Sequence, residues 1–196
     1  MEAFSDGVLA IIITIMVLEL RAPSGHSFSD LHSLIPTFTT YLLSFIYLGI
    51  YWNNHHHLLR ATRSVSGGIL WANLHLLFWL SLLPFFTQWM GESKYSTVPT
   101  FLYGCDLFAA SIAYFLLQRV ILLNQKDDVA LRVAIGRDAK GLTSTILYLL
   151  GIVLTAVSVW ISISIFIAVA IIWIVPDRRL ERYLSTRDSQ IYVAKD

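Results

Sequence analysis

The stretch FSDGVLAIIITIMVLEL, residues 4–20, decides the fold class, because it combines a short apolar helix with acidic residues at both ends. Its apolar core, residues 8–18, has eleven residues, whereas a helix that crosses a bilayer alone needs about 20. The core is followed by Glu19 and Arg21 rather than by the small-residue cleavage site of a signal peptide. We therefore expect this helix to lie inside a membrane-protein assembly or beside water.

The composition of the whole chain agrees with a membrane protein. Of 196 residues, 56% are hydrophobic and 14% are charged, against about 25% charged residues in an ordinary soluble domain. This balance excludes a disordered chain and argues against a soluble enzyme. The single cysteine, Cys105, excludes an internal disulfide framework and a multi-cysteine metal centre. The net charge of +1 provides no general attraction to nucleic acid.

The apolar segments predict six membrane spans. The last apolar block, residues 142–175, contains no charge and would be roughly 50 Å long as one helix, which exceeds a hydrocarbon core of about 30 Å. We therefore divide it near Ser158–Trp160. The predicted spans are residues 6–21, 37–60, 69–90, 100–123, 142–158 and 160–175. These boundaries predict an all-α membrane domain over residues 1–176 and a charged cytoplasmic tail over residues 177–196.

The distribution of basic residues sets the expected orientation. Six spans put both termini on one side, and Arg21 and Lys94 are the only lysine or arginine residues on the other side. The positive-inside rule then predicts cytoplasmic termini. Five spans would send the arginine-rich tail outside, against this rule. The basic residues on the side of the termini are Arg60, Arg63, Arg119, Lys126, Arg132, Arg137, Lys140, Arg178, Arg179, Arg182, Arg187 and Lys195.

Helical periodicity divides the first span into two unlike faces. At 100° per residue, one face carries a narrow stripe formed by Gly7, Ile11, Thr14, Ile15 and Leu18, which is apolar apart from one hydroxyl. Asp6 lies on the opposite face. The stripe is compatible with a lipid-facing or core surface and an aspartate that only caps the helix.

Three consecutive histidines, His55, His56 and His57, lie near the end of the second span. Neighbouring helical residues point about 100° apart, so these side chains do not converge on one metal ion, and we predict no metal site beyond permeating ions. A polar network is the better use, and we expect one or two imidazoles to hydrogen-bond Asp6. His75, in the third span, joins this network or is a satisfied core residue.

The opening segment resembles the motif F-S-D-x-x-x-A-I-x-x-T of the transmembrane protein 175 family, potassium-permeable channels of endosomes and lysosomes with bacterial relatives. Further similarities to this family follow in the family's order: NHHHLL at 54–59, WANLHLLFWLSLLPF at 71–85 and VPDRRLER at 175–182. The residues that match the motif are Phe4, Ser5, Asp6, Ala10, Ile11 and Thr14.

The resemblance implies roles for the stripe. In this family the first helix lines a central pore, and bacterial chains with one six-helix unit form homotetramers. The narrowest ring would then be Ile11, with Ile15 and Leu18 as further rings and Thr14 associated with selectivity. The motif residues Phe4, Ser5 and Asp6 and the histidines would fix the angle of the helix.

The predicted function is a potassium-permeable cation channel in a bacterial plasma membrane, with lipid, potassium and further copies of the chain as partners. No TVGYG-like carbonyl filter, no catalytic motif and no cofactor other than the permeant ion is predicted. Glu19 would attract cations at the outer end. Two alternatives remain at this stage: a secondary or proton-coupled transporter that uses Asp6 and the membrane histidines, and a membrane metalloenzyme built on the histidines.

Overall fold

The computed structural model describes residues 1–23, 25–125, 128–136, 139–175 and 185, and within these ranges it is helical without strands. The predicted tail therefore lies outside the described residues except at position 185. The helices are α1 Glu2–Leu18, a 3₁₀ helix Phe28–Leu34, α2 Ile35–Ala61, α3 Gly67–Glu92, α4 Thr97–Asn124, α5 Val129–Ile135, α6 Ala139–Leu154 and α7 Val159–Ile174.

Three helices of the described chain, α2, α3 and α4, are long and apolar enough to cross a membrane. Helices α6 and α7 are shorter apolar segments of 16 residues each. Each predicted span overlaps one of the helices α1–α4, α6 or α7. The expectation of an all-helical, multi-pass membrane protein is therefore confirmed.

The first helix is shifted from the predicted residues 6–21. It starts four residues earlier, with Glu2 in the first turn, where the helix dipole favours a negative charge. Asp6 consequently lies inside the helix and does not cap it. At 17 residues, α1 is about 25 Å long, which is shorter than the hydrocarbon core of about 30 Å.

The last apolar block is interrupted over residues 155–158, so α6 ends four residues before the predicted end of its span and α7 begins one residue before the predicted start. Helix α6 ends at Leu154, and α7 begins at Val159. The hydroxyls of Thr155 and Ser162 both donate to the Gly151 carbonyl, at 3.0 and 2.7 Å. The same carbonyl also accepts the backbone N–H of Thr155 at 3.1 Å, so one backbone and two side-chain donors meet at Gly151 where α6 ends.

The core of the bundle centres on α4, which packs against α3, α6 and α7. The ring of Phe166, from α7, is fully buried and occupies the space that a Cβ at Gly104 or Gly151 would need. Helix α1 packs mainly against α2 and α3 and therefore lies at one side of this core.

The close approach of α2 and α3 depends on Gly91. A Cβ at this position would lie 2.7 Å from the Thr37 Cα and 2.6 Å from the Thr40 hydroxyl oxygen. We expect Gly91→Ala to lower the free energy of unfolding by about 1–3 kcal/mol, because the Thr37 backbone yields only if the helices separate. A Cβ at Gly49 would meet nothing within 4 Å, so Gly49→Ala is the control. The measurement is thermal unfolding of the purified variants in detergent. Equal losses of stability in Gly91→Ala and Gly49→Ala would contradict this explanation.

Candidate functional site

Helices α2 and α3 cover one face of α1, and the other face is uncovered. Its buried face packs against α2 and α3 and consists of Ser5, Leu9, Ile12 and Met16. The predicted stripe lies on the uncovered face, where Ile11 is 59% exposed and Leu18 is 79% exposed. The other stripe residues, Gly7, Thr14 and Ile15, are exposed as well. Among the described residues, no element covers the apolar surface that runs along this face of α1.

The Thr14 hydroxyl of this stripe is hydrogen-bonded within α1. Thr14 Oγ1 donates a hydrogen bond to the Ile11 carbonyl at 2.8 Å. This bond uses the hydroxyl proton, so the oxygen lone pairs remain available on the exposed surface. Thr14 therefore presents an acceptor, not a donor, toward whatever faces α1.

The buried face of α1 is fixed by a polar network of three helices. The Asn73 amide nitrogen, on α3, donates to Ser5 Oγ at 2.9 Å. The Asn73 amide oxygen lies 2.6 Å from His55 Nε2, on α2, and because this oxygen only accepts, Nε2 carries the proton. Ser5, His55 and Asn73 are each at most 1% exposed. Ser5 and His55 were predicted as network residues, whereas Asn73 was not singled out.

Asp6 has a different partner from the one expected. Trp52 Nε1 donates to Asp6 Oδ1 at 3.0 Å, whereas the His56 imidazole nitrogen Nδ1 lies 3.8 Å from Asp6 Oδ2. The described hydrogen bond to Asp6 therefore comes from an indole and not from the predicted imidazole, while His56 lies at ion-pair distance. An indole takes the place of the imidazole. The indole N–H donates a hydrogen bond at every pH, and the indole nitrogen does not accept one.

The remaining predicted network residues lie outside this buried cluster. The Phe4 side chain is exposed, and the His57 ring packs edge-on against the His56 ring. His75 is exposed and accepts a hydrogen bond from Trp79 Nε1 at 3.0 Å on its own helix. The structure therefore separates His75 from Ser5, Asn73 and His55.

At the other end of α1, two carboxylates approach each other. Glu19 follows the last residue of α1 and lies within electrostatic range of Glu92, the last residue of α3. The Glu92 carboxylate also accepts a hydrogen bond from Gln88 Nε2 at 3.0 Å. This end of the uncovered face is therefore negative.

The fold and the uncovered helix define a multi-pass, α-helical membrane protein. A family model described as "Endosomal/lysosomal potassium channel TMEM175" matches residues 1–84. A potassium channel of Chryseobacterium sp. (strain P1-3) is 50% identical over 184 residues, which are 94% of this chain and 96% of that protein. The chain belongs to the TMEM175 family, and the predicted resemblance is confirmed.

More distant relatives give the same result. A potassium channel of Chamaesiphon minutus is 31% identical over 184 residues, covering 87% of this chain and 90% of that protein. The crystal structure of a lysosomal potassium-selective channel TMEM175 homolog from Chamaesiphon minutus superposes with a TM-score of 0.78 at 27% identity, covering 90% of this chain and 95% of that one. The endosomal/lysosomal proton channel TMEM175 of Gallus gallus is 29% identical over 148 residues, which are 65% of this chain and 29% of that protein. The family and these relatives are ion channels and not enzymes, so they give no support to the metalloenzyme alternative.

Proposed function

We propose that this chain is the subunit of a homotetrameric, potassium-permeable cation channel whose pore is lined by α1. The observation that carries this proposal is the uncovered face of α1. A helix about 25 Å long that starts with two carboxylates is poorly suited to lipid, whereas a shared axis would cover its apolar stripe. The bacterial relatives named as potassium channels support the same function.

A hydrophobic constriction is the proposed gate. Four Ile11 side chains around an axis would form an apolar ring that excludes water, and Ile15 and Leu18 would continue it. Ions pass only when the ring widens enough to be wetted. Conduction therefore requires movement of α1, and the buried contacts of this helix set the resistance to that movement.

Selectivity is assigned to Thr14. With its proton bound to the Ile11 carbonyl, the hydroxyl presents an oxygen to a partly dehydrated cation. Sodium loses more hydration free energy than potassium when water is removed, so hydroxyl oxygens favour potassium modestly, without a carbonyl filter. Glu19, beside Glu92, raises the cation concentration at the other end of α1.

The proposed setting is a bacterial plasma membrane with both termini in the cytoplasm, as the asymmetry of lysine and arginine indicates. The secondary or proton-coupled transporter remains the alternative. The names of the relatives favour a channel, and the separation of His75 from the buried cluster removes one member of the relay that a transporter would use.

Ion flux from protein-loaded vesicles tests this function. We expect potassium to leave faster than sodium, and Thr14→Val to move the ratio of the two fluxes toward unity, since valine keeps the shape and removes the oxygen. Thr145→Val is the control, because the Thr145 hydroxyl also bonds within its own helix, to the Gly141 carbonyl at 2.9 Å. Native mass spectrometry should give four subunits. The proposal would be contradicted if single-vesicle recordings gave a flux per protein no faster than the turnover of a transporter. It would also be contradicted if Thr14→Val left the ratio of potassium to sodium flux unchanged.

A further inference from the structure

Three potential metal ligands meet where α1 begins and α2 ends. His56 Nδ1 lies 3.1 Å from Glu2 Oε1 and 3.8 Å from Asp6 Oδ2. One ligand atom from each of these residues lies within 4.8 Å of the other two. Glu2 and Asp6 are one helical turn apart on α1, so both carboxylates point toward the same residue of α2.

These separations suit a single bound cation. In a tetrahedral site with metal–ligand distances of about 2.1 Å, neighbouring ligand atoms are about 3.4 Å apart. The distances from His56 Nδ1 to Glu2 Oε1 and to Asp6 Oδ2, 3.1 and 3.8 Å, lie on either side of this value. One imidazole and two carboxylates form a ligand set for a first-row divalent transition metal such as Zn²⁺, since Mg²⁺ and Ca²⁺ prefer oxygen ligands alone.

The surroundings hold one of the ligands in position and leave a second with an unused nitrogen. Trp52 Nε1 binds Asp6 Oδ1 at 3.0 Å, which orients the carboxylate and leaves Oδ2 toward His56. The His56 Nδ1 atom is buried and, although it lies beside two carboxylates, it makes no hydrogen bond. A buried nitrogen without a hydrogen bond is an open ligand position that faces two acids.

We propose that Glu2, Asp6 and His56 bind a divalent transition-metal ion of the Zn²⁺ class, which ties the start of α1 to the end of α2. The prediction of no metal beyond permeating potassium considered residues adjacent to the histidines in sequence. The three consecutive histidines do not converge, but folding brings two carboxylates of α1 to one of them. The site lies outside the uncovered stripe of α1, so the ion it binds is distinct from the permeating ions.

Co²⁺, whose visible spectrum reports its coordination, is the probe for this site. We expect the purified full chain, free of any histidine tag, to bind one Co²⁺ per subunit saturably and to release it when Zn²⁺ is added. Glu2→Gln should weaken the apparent affinity for Co²⁺ by at least about tenfold, because metal sites lose that much even when supporting residues are changed. His26→Gln, which alters an imidazole in the loop after α1, is the control and should leave the affinity unchanged.

Thermal unfolding provides an independent measurement. Zn²⁺ should raise the unfolding midpoint of the wild type and of His26→Gln, and the shift should be absent in Glu2→Gln and His56→Ala. Glu2 is 41% exposed at its side chain, so Glu2→Gln is expected to fold even if His56→Ala does not. Equal Co²⁺ affinity in the wild type and Glu2→Gln would overturn the proposal. Neither readout uses ion flux, so the outcome is independent of the proposed channel function.

Discussion

We expect Ile11→Asn to raise the resting potassium flux through vesicles by more than about tenfold, which corresponds to a barrier lowered by at least about 1.4 kcal/mol. The proposed constriction resists ions because four apolar side chains exclude water from a narrow passage. Asparagine is smaller and carries an amide that binds water, so it widens and wets the ring at the same time. Because the change is repeated in every subunit, the effect should be among the largest of any single substitution in the chain.

An equally exposed isoleucine on another helix provides the matched control for this experiment. Ile171 on α7 is 61% exposed, almost the same as the 59% of Ile11. If α1 surrounds the axis, Ile171→Asn should leave the flux near that of the wild type, although it places the same amide in an apolar helix. Equal fluxes in Ile11→Asn and the wild type, at equal amounts of reconstituted protein, would remove Ile11 as the constriction.

The second large effect concerns stability. Asn73→Leu should lower the free energy of unfolding by about 2–6 kcal/mol, since a buried polar group without a partner costs about 1–3 kcal/mol and two groups lose theirs. These groups are the Ser5 hydroxyl and the His55 imidazole, which lie on two other helices. The measurement is denaturant or thermal unfolding of the purified protein in detergent.

Two further variants separate the network from a general effect of removing an amide. Asn124 is exposed, and its amide donates to the Val120 carbonyl of its own helix at 2.8 Å, so Asn124→Leu should be nearly neutral. Ser5→Ala should cost less in the Asn73→Leu background than in the wild type, because its partner is already absent. Additive losses would show that Ser5 and Asn73 act independently.

Much of the helical architecture follows from local sequence. Long apolar runs predicted segments that overlap α2, α3 and α4, because the length of such a run reflects the thickness of the bilayer. The end of α6 could not be placed from the same signal. Residues 155–158 belong to a block without charged residues, and next to the break the hydroxyls of Thr155 and Ser162 bind the Gly151 carbonyl. Ser162 reaches Gly151 from the following helix, which no local pattern shows.

The polar contacts of α1 were only partly predictable. Helical periodicity identified the uncovered stripe from residues 7–18 alone. The partners of the motif residues come from distant parts of the chain: Asn73 lies 68 residues after Ser5, and Trp52 lies 46 residues after Asp6. An asparagine within an apolar span was the available signal for Asn73, because an amide is costly there unless it is hydrogen-bonded. Trp52 offered no such signal, since a tryptophan near the end of a membrane helix is common.

The described hydrogen bonds that fasten α1 to its neighbours come from Ser5 and Asp6, near its first turn. Beyond them, Leu9, Ile12 and Met16 make apolar contacts, which have no preferred direction. If α1 tilts in the proposed channel, we therefore expect it to turn about its first turn. Ile11 lies about 9 Å along the axis from Ser5 and Leu18 about 20 Å, so a small tilt would displace Leu18 about twice as far as Ile11.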